Sequence, residues 1–240
     1  MVSFSNLKDL SFLVYGLGTT GQSVVKFFKK NKVKNYQVWD DKNKKLFRNK
    51  RALNLDNALR KVNYIILSPG VSLSKPKNKL IEYKNKIITD IDLLFLLNKD
   101  FKSIVVTGTN GKSTTCKMIN HLLKTNKFKT YLGGNIGTPV LNLNLKKNAF
   151  LVIEASSYQL SHSKFICPDY AFLLNITNDH IDWHGNMNNY VNSKFKIFKL
   201  QKKNQYAFIN NHLKKKFKKK KFLIKLIILN LKDYKKLKSK

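Results

Sequence analysis

Short apolar runs recur along the chain, each closed by a glycine or turn residue and followed by a longer stretch with helical spacing. Residues 11–15 (SFLVY) run into Gly16-Leu17-Gly18-Thr19-Thr20-Gly21. Residues 22–30 then place Val24, Val25, Phe27 and Phe28 on one side and lysines on the other, which is the period of an amphipathic helix. Residues 36–40 (YQVWD) and 63–67 (NYIIL) read as the next strands, the second stopped by Ser68-Pro69-Gly70. Apolar runs of strand length alternating with helices predict βαβ units around a parallel sheet.

After an apolar helix predicted over 91–97 the pattern restarts. Residues 103–107 (SIVVT) lead into Gly108-Thr109-Asn110-Gly111-Lys112-Ser113-Thr114, with a helix predicted over 114–124. Further strands are predicted at 129–132, 150–154, 171–176 and 206–209, with a helix around 188–200 between the last two. Two strand–glycine-loop–helix starts predict two α/β domains, a Rossmann-like one over residues 1–99 and a parallel-sheet P-loop-type one over 100–240. Residues 214–221 (KKKFKKKK) are low-complexity, and 222–231 are apolar enough for one more strand. This lysine-rich end is expected to be poorly packed.

Charge changes this picture little. The 240 residues include 47 Lys and Arg against 13 Asp and Glu, a formal net charge of +34. Such a balance invites a nucleic-acid reading, and a basic RNA-binding protein is the rival it suggests. However, Arg48, Arg51 and Arg60 are the only arginines, whereas readers of phosphates and base edges favour the planar Arg fork. The lysines run the whole length and read as solvated faces, so no nucleic-acid partner is expected. Carboxylates are scarce, with Glu only at Glu82 and Glu154, and the position of each acid is therefore informative. Cys116 and Cys167 are too far apart for a CxxC site and too few for a disulfide framework, which suits a reducing cytoplasm. No membrane span is expected, because no apolar run approaches about 18 residues and Lys225 interrupts the best candidate.

Three places carry chemistry. In Gly108–Thr114 the glycines let backbone N–H groups turn around phosphate oxygens at the positive end of a helix. Lys112 supplies an ammonium for the terminal phosphates, and Ser113 or Thr114 a hydroxyl for Mg²⁺. Glu154 ends an apolar strand, where a parallel sheet presents a carboxylate to such a cation. Asp179, His180, Asp182 and His184 crowd the end of another strand, a set suited to a metal or a phosphoryl group. Farther upstream, the GxGxxG of residues 16–21 with Asp40 some twenty residues on is the dinucleotide fingerprint, which predicts a nucleotide diphosphate over a helix N-terminus. Cys116, His121, His162 and His212 read as structural or surface residues.

Taken in order, GLGTTGQS, VWD, SPG, TDI (Thr89-Asp90-Ile91), TGTNGKST, GGNIG, EASSYQL, NITNDHIDWHG and YVNSKFKIF resemble the Mur ligases of peptidoglycan synthesis over residues of about 10 to 210. Members that add D-glutamate fit best; the diaminopimelate- or lysine-adding members share the loop and the DHxDxHG segment, and folylpolyglutamate synthase is more distant. The resemblance implies three domains, for a UDP sugar, for ATP and for the incoming amino acid. It also implies the reaction: ATP phosphorylates the carboxylate of UDP-N-acetylmuramoyl-L-alanine, and the amine of D-glutamate displaces phosphate from the acyl phosphate. By resemblance, Gly16, Leu17, Gly18, Thr19, Thr20, Asp40, Ser68, Pro69, Gly70 and Asn135 line the UDP-sugar site. Gly108, Thr109, Asn110, Gly111, Lys112, Ser113 and Thr114 hold ATP, and Ser113 or Thr114 with Glu154 hold its Mg²⁺. His180 and a carbamylated Lys194 hold a second metal. Lys112, Glu154, His180 and Lys194 are the expected catalytic set. The resemblance fades after residues 206–210, so the ATPase domain is expected to be incomplete and the amino-acid-binding domain absent. The chain is then expected to be an N-terminal fragment of the ligase, from an interrupted, split or incompletely recorded gene, inactive alone or completed by a separately encoded C-terminal half; the alternatives are an inactive module that binds UDP sugar and ATP, and another amino-acid-adding Mur ligase.

Overall fold

A computed structural model describes residues 6–71, 73, 79–97, 100–220, 222 and 224–229. Along the chain the elements are β1 (Phe12–Tyr15), α1 (Thr19–Lys30), β2 (Tyr36–Trp39), α2 (Leu55–Lys61), β3 (Tyr64–Leu67), β4 (Ile87–Ile88) and α3 (Asp90–Leu96). Then follow β5 (Phe101–Thr107), α4 (Lys112–Thr125), β6 (Thr130–Gly134), β7 (Ala149–Glu154), α5 (Ser157–His162) and β8 (Tyr170–Leu173). The last are α6 (Ile181–His184), α7 (Met187–Phe195), β9 (Tyr206–Asn210), α8 (Lys214–Lys219) and β10 (Lys225–Leu229).

The strands form two sheets, β2-β1-β3-β4 and β10-β9-β8-β5-β7-β6, and every pairing between named strands is parallel. The continuous apolar runs explain this. All four residues of β1 are buried, as are the last five of β5, so both faces of these strands need cover, which crossover helices supply. In α1, Val24, Val25 and Phe28 are buried and Lys26, Lys29 and Lys30 are exposed, so the 3.6-residue period sets which side meets the sheet. That helix starts at Thr19 rather than residue 22, because the last glycine-loop residues already form its first turn.

The two sheets share a core. One apolar cluster runs from Val14, Val24 and Phe28 through Leu93, Val140 and Leu141 to Val105, Leu151 and Leu173. A polar contact reinforces it. Thr89 and Asp92 form a capping box on α3, and the Asp92 carboxylate also accepts from Ser163 Oγ (2.5 Å), Lys164 N and Phe165 N just beyond α5.

The expectation of a poorly packed lysine-rich end holds only in part over its described residues, since β10 is an edge strand with Ile227 and Leu229 exposed whereas the residues before it pack. Phe217 is buried against Phe198 and Phe222, and β10 adds to β9 as a sixth parallel strand. Four phenylalanines, Phe195, Phe198, Phe217 and Phe222, meet ring to ring and give this stretch apolar surface to pack despite its lysines. Residues 230–240, part of the predicted 222–231 strand among them, and the 98–99 boundary lie outside the described residues.

Candidate functional site: a nucleotide cleft joined to a phosphate loop

In both sheets the order reverses around the strand that precedes a glycine loop, β1 in the first and β5 in the second, so each loop sits at a crevice outside the carboxyl ends. A cavity of about 990 Å³ opens there between the sheets. Gly16, Gly18, Thr19, Thr20, Asp40, Ser68, Pro69 and Gly70 line it from the first sheet, and Gly134, Asn135 and Gln159 from the second. Nearly all the residues expected to hold the UDP sugar are thus together. Leu17 is the exception: its side chain is fully buried, and it contributes its backbone N–H to Asp40 at 2.6 Å.

Asp40 orders the loop. Burial alone would raise its pKa, but N–H groups of Asn43, Leu17 and Lys42 hold the carboxyl below its usual range. The glycine spacing has an equally local cause: a Cβ on Gly21 would lie 1.9 Å from the Gly16 carbonyl oxygen, so α1 can approach the loop only without one.

The phosphate loop joins β5 to α4, whose first residue is Lys112. Lys112 Nζ folds back onto the Thr109 carbonyl at 2.7 Å. Asn175, beyond β8, clasps the loop: its amide oxygen accepts from Asn110 N and its amide nitrogen donates to Asn110 O. The hydroxyl of Ser113 donates to Glu154 Oε2 (2.7 Å), and the Asn135 amide donates to Oε1 of the same carboxylate (2.8 Å). Of the two hydroxyls considered, Ser113 reaches the acid, whereas Thr114 is exposed. The row Ser113–Glu154–Asn135, with Glu154 buried and Asn135 exposed, therefore connects the phosphate loop to the cavity. Its oxygen donors suit Mg²⁺, which takes one or two protein oxygens and completes its shell with phosphate and water.

Lys194 is deeply buried on α7, donates to the Gly108 carbonyl (2.8 Å) and lies 4.6 Å from the Tyr190 ring centre. Burial, and next the Lys112 charge, push its pKa down to about 7, opposed by Asp179. Tyr190 in turn hydrogen-bonds Thr109 Oγ1 at 2.8 Å. His180 is half-exposed in a left-handed conformation (φ 53°) at the start of α6, with Nε2 3.2 Å from Asp179 and its ring between those of Tyr158 and Tyr190. His184 differs: it is buried, Nε2 meets Ser157 Oγ at 3.0 Å, and burial, then Lys194 and His180, lower its pKa to about 4. Asp182 is exposed. Among the described residues no three His, Cys, Asp or Glu side chains cluster as a ready-made metal cage.

The sequence reading passed over Asn175, Tyr190 and the Asp92 anchor. Tyr190 and Lys194, four apart on one helix, share a face, a signal the sequence contains but cannot rank above other such pairs.

Residues 11–89 match the family model "Mur ligase MurD-like, N-terminal domain", and residues 106–237 match "Mur ligase middle domain". The second match runs past residue 210, where the recognisable motifs end. A UDP-N-acetylmuramoylalanine--D-glutamate ligase of Rickettsia prowazekii (strain Madrid E) is 40% identical over 205 residues, spanning 82% of this chain and 45% of that protein. One of the same name from Wolbachia pipientis wMel is 39% identical over 208 residues, spanning 82% and 40%. The chain thus spans less than half the length of these curated relatives. Among solved structures, the UDP-N-acetylmuramate:L-alanyl-gamma-D-glutamyl-meso-diaminopimelate ligase from Neisseria meningitides superposes with a TM-score of 0.56 at 15% identity, covering 91% of this chain and 77% of that one. Among the described residues no helix is long and apolar enough to cross a membrane.

Proposed function

Since the chain belongs to the Mur ligase family, we propose that it carries the UDP-sugar and ATP sites of a cytoplasmic ligase. That ligase joins D-glutamate to UDP-N-acetylmuramoyl-L-alanine in peptidoglycan synthesis. Residues 1–99 form the UDP-sugar unit and 100–240 the ATP unit in this reading. The observation that carries it is the Ser113–Glu154–Asn135 row, which links the phosphate loop to the cavity wall at Asn135 and so supports a shared site.

The chemistry follows from bringing two anions together. The loop amides and the start of α4 hold the ATP phosphates, and Lys112 leaves its internal carbonyl partner to neutralise the γ-phosphate. A carboxylate oxygen of the UDP-muramoyl-alanine attacks the γ-phosphorus, its bond to ADP breaks, and an acyl phosphate forms. The D-glutamate amine then attacks the acyl carbon, loses a proton, and inorganic phosphate leaves. Mg²⁺, held through Ser113 and Glu154 and, for a second ion, His180 and carbamylated Lys194, screens the approaching charges when bound. The lowered pKa of Lys194 supports carbamylation, since its neutral amine is the form that adds CO₂.

In this family the amino acid is held by a third domain, which further polypeptide supplies, in the same chain or as a separately encoded half. The short span relative to its relatives also favours a second reading, a binding module without turnover. Two measurements on the purified chain decide. Calorimetric titration should show both UDP-N-acetylmuramoyl-L-alanine and ATP binding, with Lys112→Ala weakening ATP by more than about tenfold while the UDP-sugar affinity stays within twofold. Equal loss of both ligands contradicts the assignment. ADP and ligated product formed with D-glutamate in excess distinguish the enzyme from the module.

A further inference from the structure

The register of the second sheet decides what lies beside the phosphate loop. Val106 pairs with Phe172 and Thr107 with Leu173. The ladder runs on past the strand ends: Leu174 N donates to the Thr107 carbonyl and Thr109 N to the Asn175 carbonyl, both at 3.0 Å. A Cβ on Gly108 would meet the Leu174 Cβ at 3.1 Å and the Asn175 nitrogen at 3.4 Å, so the segments come this close because residue 108 is glycine. Asn175 thereby lies against Asn110, and its amide holds two successive peptides of the loop. Its Oδ1 accepts from the Asn110 N–H (2.9 Å), and its Nδ2 donates to the Asn110 carbonyl (3.0 Å). A flipped amide would set donor against donor and acceptor against acceptor, so its orientation is fixed. The loop peptides are trans, and a trans peptide points its C=O and N–H in opposite directions. In the 109–110 peptide the N–H is turned to Asn175, so the Thr109 carbonyl is turned away, where it receives Lys112 Nζ at 2.7 Å. In the 110–111 peptide the carbonyl is turned to Asn175, so the Gly111 N–H is turned away. Gly111 accommodates this reversal with a left-handed backbone (φ 81°). Among the described residues nothing pairs with the N–H of Gly111, nor with those of Lys112, Ser113 and Thr114 in the first turn of α4.

We propose that Asn175 is a positioning residue of the nucleotide site: its clasp sets two loop peptides in opposite senses, so that the Gly111 N–H joins those of Lys112, Ser113 and Thr114 in receiving the nucleotide's phosphates. The inference rests on the reading of this loop as the ATP site and adds which of its N–H groups the nucleotide meets. Thr109 and Asn110 belong to the expected ATP set, yet their N–H groups are committed to the Asn175 carbonyl and side chain. They serve the site by shape, and the Thr109 carbonyl by holding Lys112 until phosphate takes it. The clasp matters because N–H donors already turned outward need no reorientation when the anion arrives. Without it, rotation of the 110–111 peptide would present a carbonyl oxygen to the phosphates in place of the Gly111 N–H.

Hydrogen exchange of single amides in the wild-type chain, with and without ATP, tests this with no substitution. In the free chain the Asn110 N–H should exchange at least about tenfold more slowly than the Gly111 N–H, each relative to its intrinsic rate. Saturating ATP should then slow Gly111 by more than about tenfold and Asn110 by less. Equal protection of the two in the free chain, or ATP slowing Asn110 more than Gly111, overturns the proposal and leaves the ATP reading standing. ATP that does not bind the wild-type chain overturns both. Calorimetric titration of Asn175→Leu is the second arm. ATP should bind about tenfold more weakly with UMP within about twofold, and the exchange protection of Asn110 should disappear. ATP affinity within about twofold of wild type contradicts the positioning role, and so does equal weakening of UMP and ATP, which is what a merely structural residue would give. The exchange arm does not depend on how well the variant folds.

Discussion

His162 ends α5 with its Nε2 buried and, among the described residues, without a hydrogen-bond partner. Trp183 stands edge-on 5.5 Å away, and burial, followed by the charges of Lys196 and Lys84, lowers the pKa to about 4 from 6.5. The unfolded chain therefore takes up a proton below pH 6.5 that the folded one refuses until about pH 4. More protons bound by the unfolded state means stability that falls as pH falls, across that window. His184, lowered to about 4 as well, works in the same direction. Asp90, raised to about 6 by burial, and Asp92, also raised, oppose the two imidazoles, so the readout is the difference: the thermal midpoint of His162→Leu should fall less than that of the wild type between pH 6.5 and 4. An unchanged slope in the variant would show that the ring is protonated in the fold. Lys194 obeys the same physics from the other side, since burial turns an ordinary cation into a near-neutral amine beside the phosphate loop.

Among the elements, α1 and its glycine loop make the sharpest contrast between look-alike positions. Gly18 and Gly21 belong to one motif, yet a Cβ on Gly18 meets nothing within 4 Å and one on Gly21 overlaps the Gly16 carbonyl. Gly18→Ala should cost under about 1 kcal/mol in urea denaturation, the effect of altering a helix N-cap. Gly21→Ala should cost at least about 2 kcal/mol and abolish UMP binding, because helix and loop must separate. Comparable midpoints for the two variants would refute the close approach. The short helix α5 is informative for another reason: six residues bear the Ser156–Gln159 capping box, the Ser157 partner of His184, and the Tyr158 ring beside His180.

At the scale of the molecule, coupling between the sheets decides whether the cleft is a site at all. The shared apolar cluster and Asp92 hold the two units, and Asp92 is fully buried while accepting from groups beyond α5. Asp92→Ala leaves the Ser163 hydroxyl and three backbone N–H groups, of Thr89, Lys164 and Phe165, without their acceptor, a loss of about 3 kcal/mol or more. Scanning calorimetry of that variant should show the single transition separating into two, while one transition at the wild-type midpoint would mean that apolar packing alone couples the units. Most of the +34 charge is carried by lysines spread over this assembly, and two of them, Lys42 and Lys79, line the cleft beside its amides, hydroxyls and carboxylates.

Local pattern sufficed for much of this. Apolar runs of four to seven residues can be buried only on both faces, so parallel sheets, crossover helices and both glycine loops were legible in the residues, as was Glu154 at a strand end. Contacts between residues far apart were not. Nothing local says that Asn135 and Ser113 share one carboxylate, that Gln159 and Asn135 line one cavity, or that Lys194 is the lysine buried beside the phosphate loop. These follow from which strands become neighbours and which side chains they bury, because desolvation and hydrogen-bond direction are properties of the packed environment and not of the residue.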